Sequence, residues 1–85
     1  MIERTPDGLA AIGRLLHGED WQSPLARDLG VSRESIRRWL NGSQPLSPEH
    51  GIWDDVIILV RAQAEESSRR AEALRAVADR IASDI

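Results

Sequence analysis

The chain has 85 residues, a net charge of −3, and neither cysteine nor lysine. That length is one small domain near the limit at which a single core suffices, and without thiols there is no disulfide or thiolate metal site, as suits a reducing cytoplasm. No apolar run reaches the roughly 18 residues of a membrane span, the opening MIERTPDG has no signal-peptide shape, and His17 and His50 lie too far apart for a zinc finger.

Taken in order, Thr5-Pro6-Asp7 has the signature of a helix start: a capping hydroxyl, a proline preset for the first position and an acid for the dipole. Leu9, Ile12 and Leu16, with Leu15 beside them, give that helix one apolar face, and Gly18 stops it. His17, at the helix end, is read as a structural or surface residue rather than a ligand. Trp21 is read as packing between this helix and the stretch that follows.

Residues 21–42, WQSPLARDLGVSRESIRRWLNG, read as two short helices joined by a tight turn. The first covers Gln22 to Leu29 and buries Leu25, Ala26 and Leu29. Gly30-Val31 makes the turn, where a positive φ suits glycine. The second covers 32–41, with Ser32 as its cap and Ile36, Trp39 and Leu40 turned inward. Ala26 is small where the two helices must cross. Pro24 is tolerable in a first turn, where N–H groups lack partners. Arg33, Glu34, Arg37, Arg38 and Asn41 are then left on the outer face, which is either a solvated surface or one that reads nucleic acid. This stretch holds four arginines against Asp28 and Glu34, whereas acids outnumber arginines on both sides of it. A basic excess confined to one stretch is the distribution expected when one face meets phosphate.

Between Gly42 and Pro48 the composition is that of a loop, and Ser47-Pro48-Glu49 repeats the cap, proline, acid signature and predicts a further helix from there. Its first part, IWDDVIILV, is apolar nearly all round and is expected to be buried on more than one side. Beyond it, positions 53, 57, 60, 64, 67, 71, 74, 78, 81 and 85 alternate by four and three as a weak heptad seam. A helix over 48–83 would be about 54 Å long at about 1.5 Å per residue, more than three short helices can cover. It either breaks near Ser67-Ser68 and folds back or finds a second chain, and the second chain is favoured. Leu74, Ala78, Ile81 and Ile85 are accordingly the candidate dimerisation residues.

The run L-A-x-x-L-G-V-S-x-x-x-I-x-x-W-x-x-G, filled by Leu25, Ala26, Leu29, Gly30, Val31, Ser32, Ile36, Trp39 and Gly42, resembles the helix-turn-helix of phage lambda repressor-like proteins, especially short prophage-type transcriptional regulators. The resemblance covers about a quarter of the chain. It implies an all-α domain of four or five helices whose second motif helix enters the major groove. By position it makes Ser32, Arg33, Glu34 and Arg37 base-reading candidates and Gln22 a phosphate contact. Arg38 and Asn41 flank that face, and Ser43 and Gln44 fall in a loop that lies near the DNA backbone in such proteins.

The expected organisation is a DNA-binding domain over 1–62, with its motif at 21–42, and a helical dimerisation extension over 63–85. The expected function is a cytoplasmic, homodimeric repressor that occludes a palindromic operator on double-stranded DNA. An antitoxin-like module whose long helix captures a protein is the alternative. No cofactor, metal or small-molecule substrate is implied, and no nucleophile–base pair, phosphate-cradling glycine loop or metal spacing suggests an enzyme. Asp54-Asp55 and Glu65-Glu66 are adjacent in sequence, point in different directions on a helix, and read as solvated charges.

Overall fold

The computed structural model of the chain describes residues 3–83, and these are all-α. The helices are α1 (Pro6–His17), α2 (Gln22–Leu29), α3 (Arg33–Asn41) and α4 (Ile52–Ser83). Local chemistry sets most of their ends. Thr5 Oγ1 accepts a hydrogen bond from Gly8 N at 3.0 Å, with Pro6 at the first helical position, and Gly18 closes α1 at φ 78°. Ser32 Oγ caps α3 by accepting from Ser35 N at 3.0 Å, and Gly42 ends it at φ 81°. Between α2 and α3, Gly30 takes φ 70°, so that its N–H reaches Arg27 O at 3.2 Å and Val31 N reaches Ala26 O at 3.0 Å. This Schellman pair satisfies two carbonyls at the end of α2 while reversing the chain.

The start of α4 differs from the sequence expectation. Ser47-Pro48-Glu49 forms a turn, with Ser47 Oγ accepting from Glu49 N at 3.1 Å, and the helix begins only at Ile52. His50 provides the cap: its Nδ1 accepts from Ile52 N at 3.0 Å. The indole of Trp53 donates to Ser47 O at 3.0 Å and folds the turn back over the new helix. From Ile52 to Ser83 the helix runs through Ser67-Ser68 without a break for 32 residues, about 48 Å at 1.5 Å per residue.

Leu9, Leu25 and Ile36 are wholly enclosed and mark the centre where α1, α2 and α3 meet. Burying each contributes about 1.5–3 kcal/mol. Trp21, Ala26 and Trp39 surround them; Ile52, Trp53 and Val56 close the core from α4, which packs chiefly on α2. Leu46, in the loop, also enters the core. Two expectations about facing are corrected. Leu15 does not join the α1 stripe inward but is 79% exposed, and the apolar start of α4 is buried on one side only, leaving Ile58 67% exposed. Leu15 borders an open cleft facing α4, and Ile58 an open groove beside the end of α2, so neither is closed over within the protomer. The rest of α4 projects past the body, giving dimensions of 59 × 23 × 22 Å. No helix among the described residues is long and apolar enough to cross a membrane.

Candidate functional site

Because Ile36 and Trp39 anchor α3 in the core, helical geometry fixes what its other face presents. Arg33, Glu34, Arg37, Arg38 and Asn41 are all exposed, as is the capping residue Ser32. The face is not a set of free cations. Glu34 accepts from Arg37 Nε at 2.9 Å and from its Nη2, and lies 3.4 Å from Arg38 Nε. The hydrogen bond from Arg37, followed by the charges of Arg37 and Arg38, holds the Glu34 carboxyl below the usual carboxylate range, and the same bond raises Arg37. Arg33 makes no ion pair among the described residues.

Arg33 instead lies at one end of a shallow cleft shared with Gln22 and Ser23 from the start of α2. Gln22 and Arg33 are thus brought together. The same cleft is lined by Glu19 and Asp20, whose proximity sequence reading missed because they belong to the connection after α1. At the other end of α3, Asn41 Oδ1 accepts from Ser43 N at 2.8 Å and Gln44 N donates to Arg38 O at 3.2 Å. These bonds tie the exposed Ser43 and Gln44 to the foot of the helix. The face therefore offers guanidinium donors, hydroxyls and one amide along a single rigid rod, with one carboxylate controlling two of its three arginines.

His17 bonds through Nε2 to Asp28 Oδ2 at 2.8 Å and links α1 to α2. The candidate dimerisation residues lie far from α3: Leu74, Ala78 and Ile81 are exposed on the projecting part of α4, and Ile85 lies outside the described residues. The chain matches no protein-family model, no curated protein and no solved structure with which it was compared.

Proposed function

We propose that the chain is a sequence-specific DNA-binding transcriptional regulator of the lambda repressor-like helix-turn-helix kind, working as a homodimer that represses by covering its operator. The observation that carries this reading is the outer face of α3, where three exposed arginines, a glutamate and an asparagine ride on a helix whose inner face is fixed in the core. Its N-terminal residues, Ser32, Arg33, Glu34 and Arg37, would face base edges, while Arg38 and Ser43 would meet phosphates. The rival role, capture of a protein partner, is favoured by a different observation: the exposed apolar row Leu74, Val77 and Ile81 on α4.

The two roles of arginine separate experimentally. A bidentate arginine–guanine contact discriminates by about 1–3 kcal/mol, whereas a phosphate contact carries no sequence information. Selection of bound duplexes from a random pool defines the preferred site. Titrations of Arg37→Ala at several salt concentrations should then lose preference for that site, while Arg38→Ala weakens selected and random duplexes alike and lowers the salt slope by about one unit. Equal losses on both duplexes for Arg37→Ala would show that it does not read bases, and no binding by the parent at low salt would end the DNA-binding reading.

A further inference from the structure

A largely apolar cleft opens between α1 and α4, with Leu15 on one wall, Ile57 and Val60 on the other, and Glu3, Arg4 and Arg61 also lining it. The α4 wall of this cleft does not end with the body. Continued along the helix at heptad spacing, Ile57 and Val60 lead to Ala64, Ser67, Ala71, Leu74, Ala78 and Ile81, with no charged residue in the series. The neighbouring line that starts from exposed Ile58 runs into Glu65 and Arg69 after Ala62, whereas the first line is free of charge from the body to the tip.

Resting on the homodimer reading above, we infer that two copies pair through α4 in antiparallel fashion about an axis at Arg69, so that the distal half of each helix lies along the cleft of the other copy. Spacing leads to this arrangement. With Arg69 at the centre, Ile57 meets the partner's Ile81, Val60 the partner's Ala78, Ala64 the partner's Leu74 and Ser67 the partner's Ala71. Each large residue in the inner layers meets a small one, as interdigitating helices require. Sliding the pair by one heptad toward the body sets Ala78 opposite the partner's Trp53, which is buried, and leaves Ala78 and Ile81 without a seam partner. The apolar ridge matched in this way is about 36 Å long at 1.5 Å per residue.

The flanking charges do not choose between registers. In the antiparallel register Arg61 is two residues from opposition to the partner's Asp79 and equally to the partner's Arg75, and Arg70 is two residues from the partner's Glu66 and equally from the partner's Arg70. A parallel, in-register pair would likewise set Arg70 against the partner's Arg75. Glu65 and Glu66 already meet Arg69 within the protomer. The antiparallel register also covers Leu15, which a pair joined only through the distal tips would leave in water.

The absence of native cysteine makes the register directly testable. Val60→Cys and Ala78→Cys chains, mixed and oxidised, should give a mixed covalent dimer, while neither crosslinks to itself. Self-crosslinking of either one alone would overturn the proposal in favour of parallel helices. Light scattering of the full chain without DNA should show a dimer; a monomer at tens of micromolar would overturn it too. Leu15→Glu, exposed in the protomer and outside α4, should weaken the dimer about tenfold or more with helicity unchanged, and no effect would mean that the cleft is empty. Duplex binding is read separately. A dimer of this register that ignores DNA leaves the pairing standing and ends the regulator reading, and a monomer that binds duplex does the reverse.

Discussion

Gly13 lies beneath the indole of Trp21, close enough that a methyl group there would overlap Cε3 and Cδ2 of the ring. Two effects oppose each other in Gly13→Ala. Helix propensity favours alanine by about 1 kcal/mol, while overpacking a filled site costs about 1–3 kcal/mol. Trp21 is buried and rigid, not the flexible tip of a long side chain, so overpacking wins and thermal melts should show net destabilisation. Glu34 poses the matching question on the outer face. Its carboxyl is held below the usual range, so its pairing with Arg37 is fully present above the ordinary carboxylate range and is lost only as pH falls through the lowered value. At neutral pH Glu34→Gln should release Arg37 and Arg38. Random-duplex affinity should then rise and the salt slope should steepen by about one unit; unchanged binding in salt titrations would mean that the arginines already leave Glu34 in the complex.

The turn between α2 and α3 shows what a local sequence can specify about an element. At Gly30 an added side chain would meet nothing within 4 Å, and φ is +70°, so any penalty for substitution is conformational. Gly30→Val should cost about 1–3 kcal/mol and Gly30→Asn clearly less, because asparagine tolerates the left-handed region. Equal melting temperatures for the two would mean the strain argument is wrong. Ala26→Leu, at a buried crossing point, should destabilise by about 1–3 kcal/mol through overpacking. Thr5, Gly30 and Ser32 were legible in the sequence because a cap or turn depends on residues within a few positions. The start of α4 was not. Ser47-Pro48-Glu49 makes the hydrogen bond a helix start would make, and what ends the turn is His50 as the real cap, with Trp53 reaching back to Ser47. Leu46 was missed because a loop has no periodicity to expose a core residue. For Leu15 and Ile58, periodicity gave the apolar arcs of their helices but not how much of each arc a neighbour covers. On α3 the outward set followed from Ile36 and Trp39 alone, whereas the Glu34 pairing and the acids beside Gln22 needed side-chain positions.

At the scale of the molecule, the body and the projecting part of α4 divide near Ala62. Every buried residue lies upstream of that point, so a chain cut after Ala62 should keep its fold, with circular dichroism losing helix signal in proportion to the residues removed. Unfolding of the shortened chain at room temperature would show that the projection supports the core. The tryptophans extend this division into optics. All three, Trp21, Trp39 and Trp53, are buried in the body, and the chain has no tyrosine. Intrinsic fluorescence is therefore blind to the distal helix, while far-ultraviolet ellipticity also takes it in, since 21 of the 61 helical residues described lie beyond Ala62. Recorded in parallel during a thermal or denaturant transition, the two signals should separate at low protein concentration, with ellipticity falling first as the helix end frays. They should converge as concentration rises if a second copy holds that end in place. The molecule thus carries a built-in two-colour reporter, one colour for the domain alone and one that adds its reach, without any attached dye.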